Sequence, residues 1–147
     1  MNVSIARIPA KLASILLFAQ MLSVSAAAQT PQKPEQLAQQ SSEAWLAVVD
    51  SGKYAQSWDE TAQSFKAVVT KEQWQTALDA SRAPQGKVLS RKLKSAAYLK
   101  NPPNAPEGEY VQIQYDTNFE NKQGAVETVV PTLDKDGKWR VSGYFIK

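Results

Sequence analysis

A chain of 147 residues with 17 Lys and Arg against 14 Asp and Glu carries a formal net charge of +3, and it contains neither histidine nor cysteine. That composition excludes disulfides, Ser-His-Asp and Cys-His catalysis, and zinc sites built on His or Cys, and leaves proton chemistry to Asp, Glu, Lys and Tyr. The length suits one domain, which would bury roughly two-thirds of the surface its unfolded chain exposes.

The first 28 residues read as a secretory leader. Arg7 and Lys11 are the only charges, Leu12 to Val24 is an apolar run, and Ser25-Ala26-Ala27-Ala28 supplies small residues for a peptidase. Residues 1–28 are therefore expected to be a signal peptide, with the mature chain starting at Gln29 in a periplasm or outside the cell. A membrane-spanning helix needs ~20 apolar residues, and this shorter run is interrupted by Ser14, Gln20 and Ser23. Retention as an uncleaved anchor is the alternative; after cleavage no stable membrane insertion is expected. Loss of Arg7 and Lys11 lowers the net charge from +3 to +1, which does not point to nucleic acid.

Residues 29–34, rich in Gln and Pro, read as a flexible leader to a single domain over 35–147. Glu35 to Ser51 has helical spacing, with Leu37, Ser41, Ala44, Trp45 and Val48 as the expected inner stripe and Gly52 as the C-terminal stop. Lys53 to Glu60 reads as a short helix carrying Tyr54, Ser57 and Trp58 on one side. Ala62 to Val69 adds a turn or two with Phe65, Val68 and Val69 inward. Thr70-Lys71-Glu72-Gln73 fits a capping box. The helix it starts turns Trp74, Ala77, Leu78 and Ser81 inward, and Pro84 and Gly86 end it.

After Gly86 the period changes to two. Lys87 to Leu99 alternates, with Leu89, Arg91 and Leu93 on one face against Ser90, Lys92 and Lys94. Residues 101–108 hold three prolines and a glycine and read as a loop. In Tyr110 to Phe119 the residues Val111, Ile113, Tyr115, Thr117 and Phe119 share one face, with Gln112, Gln114, Asp116 and Asn118 on the other. Asn121 to Gly124 is the expected hairpin turn, Ala125 to Leu133 a β-branched strand, Asp134-Lys135-Asp136-Gly137 a second hairpin turn, and Trp139 to Ile146 the last strand. Helices followed by four strands on short turns predict an α+β fold, with N-terminal helices packed on a curved four-stranded antiparallel sheet.

Several blocks together resemble a known family: Ala44 to Tyr54, Ser57-Trp58-Asp59, Gly108 to Val111, Tyr115-Asp116-Thr117, Glu127-Thr128-Val129, and Asp136 to Tyr144. They look like the bacterial exported family called domain of unknown function 4019. The resemblance implies an NTF2-like or cystatin-like outline, with helices in the hollow of a curved sheet. It brings no activity and no catalytic residues.

Four features carry the functional question. Trp45, Trp58, Trp74 and Tyr54 fall on inner helix faces; a buried Trp removes ~150–250 Å² from water, so these rings read first as core and second as the lining of a pocket for an apolar or sugar ligand. Tyr54 and Trp58, on the short helix, are the expected exceptions that border a cavity. Lys87, Arg91, Lys92, Lys94 and Lys100 read as a solvated edge-strand face, with an acidic partner as the alternative. The turn before Trp139 reads as an ordinary hairpin. Glu127, among β-branched residues, is expected to point into the hollow, either as a buried ion pair with Arg91 or as an acid or base beside Tyr115, as carboxylate–tyrosine enzymes use such groups.

The ligand-binding candidates are therefore Tyr54, Trp58, Arg91, Tyr115 and Glu127, with no catalytic residue, no metal site and no cofactor assigned. The expected function is an exported, soluble, non-catalytic binding or interaction module. Its partner would be a small apolar ligand or another envelope protein, and the chain a monomer or weak dimer. The alternative is a small NTF2-like isomerase, lyase or hydrolase using Glu127 or Asp116 with a Tyr. A hollow filled by Trp58, Phe65 and Trp74 would favour an interaction role; an open one with Glu127 and Tyr115 exposed inside it would favour an enzyme or ligand binder.

Overall fold

The computed structural model describes residues 31–147; the expected signal peptide, Gln29 and Thr30 lie outside the described residues. Helix α1 (Pro34–Asp50) starts with a proline at its first position, where a missing N–H costs no hydrogen bond, and Gln36 Oε1 accepts from the Lys33 N–H at 3.2 Å. Helices α2 (Tyr54–Asp59), α3 (Gln63–Lys66) and α4 (Lys71–Ser81) follow, then a 3₁₀ turn over Ala83–Gln85. The Thr70 capping box forms as expected: Thr70 Oγ1 accepts from the Gln73 N–H at 3.2 Å and Gln73 Oε1 from the Thr70 N–H at 2.9 Å.

Four strands complete the chain: β1 (Val88–Lys100), β2 (Glu109–Phe119), β3 (Lys122–Leu133) and β4 (Trp139–Ile146). They form one antiparallel sheet in the order β1-β2-β3-β4. Register shifts interrupt all three ladders, and bulges of this kind bend and twist a sheet. The helices lie against one face, so the architecture is α+β.

The stripe of α1 is displaced from the one its spacing suggests. Ala38, Ser42, Trp45, Leu46 and Val49 are buried, whereas Leu37 is 39% exposed and Ala44 faces solvent. Ala38 and Ser42 have almost no side chain to keep the helix off the sheet. Ser41 is held at the margin, its hydroxyl donating to the Trp139 carbonyl at 2.7 Å. On β1 the alternation is broken by two bulges, between Val88 and Ser90 and between Leu93 and Ser95. Leu89 is the extra residue of the first bulge and is 61% exposed; Leu93 shares the face of its partner Tyr115 but sits on the edge strand and stays 46% exposed. The first hairpin is tighter than expected: its turn is Glu120-Asn121, Phe119 pairs with Lys122, and Gly124 lies inside β3 at a register shift. The face of β2 is as the alternation predicts, with Val111, Ile113, Tyr115, Thr117 and Phe119 all buried.

The space between helices and sheet is packed with rings. Trp45 meets Trp74 at 6.1 Å between centroids and Tyr144 edge-on at 5.4 Å, and Phe65 meets Trp74 edge-on at 5.2 Å. Trp45 Nε1 donates to the Ser57 carbonyl at 2.9 Å and Trp74 Nε1 to the Ser57 hydroxyl at 3.0 Å. Both indole N–H groups thus find partners inside the core, as buried Trp requires.

Candidate functional site

Glu127 is the centre of the polar interior. Cross-strand pairing places it opposite Tyr115 on β2 and Ile146 on β4, on the face that meets the helices. Its side chain is 0% exposed. An isolated buried carboxylate is strongly unfavourable unless paired and hydrogen-bonded. Glu127 has four donors: Arg91 Nε to Oε2 at 2.6 Å, Arg91 Nη2 to Oε1 at 3.0 Å, the Thr117 hydroxyl to Oε2 at 2.6 Å, and the Tyr144 hydroxyl to Oε1 at 2.5 Å. A carboxylate offers about four acceptor positions, and all are occupied by the protein's own donors.

Charge alternates outward from this centre. Arg91 also binds Asp50 at the end of α1, Nη1 to Oδ2 at 2.7 Å and Nη2 to Oδ1 at 3.1 Å. Asp50 in turn receives Arg82 Nη2 at 3.0 Å. Arg82, 3% exposed, lays its guanidinium 4.6 Å from the Phe119 ring centroid and donates from Nη1 to the Gly86 carbonyl at 2.7 Å. The chain Arg82–Asp50–Arg91–Glu127 therefore ties the C-terminal ends of α4 and α1 to β1 and β3, and Thr117 and Tyr144 add β2 and β4. Burial alone would lower the basicity of Arg91, but the hydrogen bonds and charges of Asp50 and Glu127 outweigh it and raise the pKa above the ordinary arginine value. Burial first, then the charge of Glu127, holds the Tyr144 hydroxyl well above the usual tyrosine range.

Of the sequence candidates, Arg91 and Glu127 come together as a bidentate pair, the ion-pair alternative of the two readings. Tyr115 does not join them chemically. Although it pairs with Glu127 across the strands, its buried hydroxyl makes no hydrogen bond. Burial, with a contribution from Glu43, pushes its pKa up to about 12. Tyr54 is buried in the core cluster. Trp58 is half-buried, donates from Nε1 to the Val69 carbonyl at 2.8 Å, and has the Lys66 and Lys71 ammonium groups 5.4 and 5.3 Å from its ring centroid. Neither residue lines the two open concavities described below. Asp116, on the opposite sheet face, is 59% exposed in its side chain and bridged to Lys94 at 3.0 Å.

The residues that sequence reasoning missed are Asp50, Arg82 and Tyr144. Tyr144 is hidden from an alternation reading because the register shifts between Val130 and Pro131. That shift turns Tyr144 inward and leaves Phe145 60% exposed. Asp50 and Arg82 end their helices and carry no local signal of a shared partner.

Two open concavities lie outside the helix–sheet layer. One, of about 630 Å³, lies between the loop after β1, the β3–β4 hairpin and the start of α3; Glu107, Asp134 and Arg140 are among its walls. The other, of about 540 Å³, has a mainly apolar lining that includes Val68, Leu99, Val130 and Phe145. Arg140 is committed to Asp134 at 2.8 Å and to Asp136 at 2.9 and 2.8 Å. Its guanidinium holds the Asp136 carboxyl down to about 2. Among the described residues, no cluster of three or more acidic side chains is arranged to hold a metal ion, and no helix is long and apolar enough to cross a membrane.

Residues 41–144 match the family described as "Protein of unknown function (DUF4019)", and the chain belongs to that family. Searches of curated proteins and of solved structures found no match.

Proposed function

We propose that this family member is an exported, non-catalytic interaction module that meets its partner through its surface rather than through the hollow between helices and sheet. One observation carries the reading: the Glu127 carboxylate, the best-placed acid or base in the interior, already accepts four hydrogen bonds. General acid–base work needs a group within hydrogen-bond reach of the substrate proton, and here the protein itself fills that reach. The packing of Trp45, Trp74, Phe65 and Tyr144 supports the same reading, because it occupies the volume a ligand in the hollow would need. A carboxylate–tyrosine enzyme is the weaker alternative: Tyr115 shares no hydrogen bond with Glu127, and Tyr144, which does, is buried with it among Arg91 and Thr117. Export rests on the leader pattern of residues 1–28.

The test pairs two measurements on the protein from Gln29 onward, in the envelope of the producing cell. Native mass spectrometry is expected to give a bare monomer or dimer mass; a reproducible small-molecule adduct would overturn the filled-hollow reading. A photoreactive residue at Phe145 is expected to give a discrete protein adduct, whereas one at Lys92 is not. Silence at both positions, or equal unspecific labelling, counts against an interaction module.

A further inference from the structure

The two concavities are neighbours. Both are bordered by Ser64, Pro106 and Tyr110, so they adjoin where the loop 101–108 and the start of α3 come near Tyr110. By strand parity Tyr110 lies on the sheet face of Gln112, away from the helices, yet it is only 7% exposed, with loop residues Pro106 and Gly108 against it.

The loop is built as a stiff strap on a pinned base. At the base the Asn101 N–H donates to the Gly108 carbonyl at 2.8 Å, and the Gly108 N–H donates to Asn101 Oδ1 at 2.8 Å. Between these ends Pro102, Pro103 and Pro106 fix their own φ and restrict the residues before them. Asn101 (φ 47°) and Asn104 (φ 64°) hold left-handed conformations, where non-glycine residues are uncommon and which mark the places the strap turns. Beyond the base, the side-chain tie from strap to sheet is one hydrogen bond, the Tyr110 hydroxyl to the Pro106 carbonyl at 2.8 Å. The residues from Pro103 to Glu107 are otherwise exposed.

We propose that the strap 101–108 is a latch-held lid. It pivots as one body on its Asn101–Gly108 base, and release of the Tyr110–Pro106 bond joins the two concavities into one cleft. This rests on the proposed surface interaction, for which the lid would control access. The release frees the Tyr110 hydroxyl as a donor at the midpoint of the joined cleft, beside apolar walls at Leu99 and Val130. Loss of one neutral hydrogen bond shifts such an equilibrium toward the open form by roughly two- to tenfold, on top of the apolar contact of the Tyr110 ring that opening also gives up.

Because the chain has no cysteine, Ala105→Cys gives a single site for a nitroxide spin label. Tyr110→Phe removes the latch and keeps the ring; it is expected to raise the mobile fraction of the label two- to tenfold at unchanged helix content. Superimposable spectra with and without the latch would overturn the proposal. Thr132→Val removes a neighbouring bond, Thr132 Oγ1 to the Glu109 carbonyl at 2.9 Å, and spares the latch. It is expected to leave the spectrum unchanged, and equal mobilisation by it also defeats the proposal. Relaxation dispersion on the unsubstituted chain gives an independent reading should Tyr110→Phe not fold. Exchange on the microsecond–millisecond scale across 104–108 is expected, and flat profiles there overturn the lid. None of these readouts uses a partner, so a failed lid leaves the surface interaction standing, and a failed cross-link leaves the lid standing.

Discussion

Tyr144 reaches Glu127 diagonally across the β3–β4 ladder: Glu127 pairs with Ile146 and Tyr144 with Val129, and the hydroxyl donates to Oε1 at 2.5 Å. The tyrosine expected beside the carboxylate, Tyr115, stands directly opposite on β2 and makes no such bond. The interior therefore holds a buried Arg91–Glu127 ion pair whose tyrosine donor is Tyr144 and not Tyr115.

Removing those donors should cost stability in a graded way. Tyr144→Phe deletes one hydrogen bond to a charged group and is expected to lower unfolding stability by about 1.5–3 kcal/mol. Arg91→Met strands the carboxylate and is expected to cost about 3–5 kcal/mol. Urea unfolding measures both, and a loss under about 0.5 kcal/mol for Arg91→Met would show that the pair carries little of the fold.

Tyr115→Phe should behave oppositely. Its hydroxyl is buried without a partner, so deletion removes a desolvated group and no hydrogen bond. The expected change lies between neutral and about 1 kcal/mol of stabilisation. A clear destabilisation in the same urea experiment would mean that the hydroxyl has a partner after all.

Alkaline pH should unfold the protein over a defined window. Tyr115, at about 12, and Tyr144, above the usual range, both have folded pKa values raised above an unfolded value near 10. Groups raised on folding contribute stability that is complete below the unfolded pKa and lost as pH rises through the folded one. Circular dichroism should stay flat to about pH 10 and fall beyond it, with tyrosinate absorbance rising together with the loss of structure. Free titration of all five tyrosines of the chain near pH 10, with the fold intact, would contradict the burial of Tyr115 and Tyr144.

The β3–β4 hairpin should answer to acid. Asp136 is lowered to about 2 by its hydrogen bonds with Arg140. That contribution is present above the ordinary carboxylate pKa near 4 and disappears as pH falls toward 2. Because the carboxylate is at the surface, the effect should be local and screened by salt. The Arg140 side-chain resonances are expected to shift with a midpoint near pH 2; a midpoint near 4 would show that the pair does not persist in solution.

Gly86→Ala tests the joint between helices and sheet. Gly86 sits at φ 76°, and an added Cβ would lie 2.7 Å from Glu120 Oε2, the oxygen that accepts from the Lys87 N–H at 2.8 Å. Strain and a displaced hydrogen bond should together cost about 1–3 kcal/mol. A stability equal to that of the parent would show that the joint yields without strain.

The element order, the α+β class, the Thr70 capping box, the buried face of β2, and the inward placement of Arg91 and Glu127 are all legible in the amino-acid sequence. These follow from periodicity and local chemistry, which short stretches of chain carry in full. The remainder arises only when distant segments meet. Register shifts at Leu89, Lys94 and Ser142 change which side chains face in, and a shift of one residue reverses a strand's faces without any mark in hydrophobicity. The small side chains of Ala38 and Ser42 became the contact of α1 because helix and sheet could approach there. Asp50, Arg82 and Tyr144 joined Glu127 because distant strand and helix ends converge on one buried charge. Its need for partners is a property of the assembled interior and not of any segment.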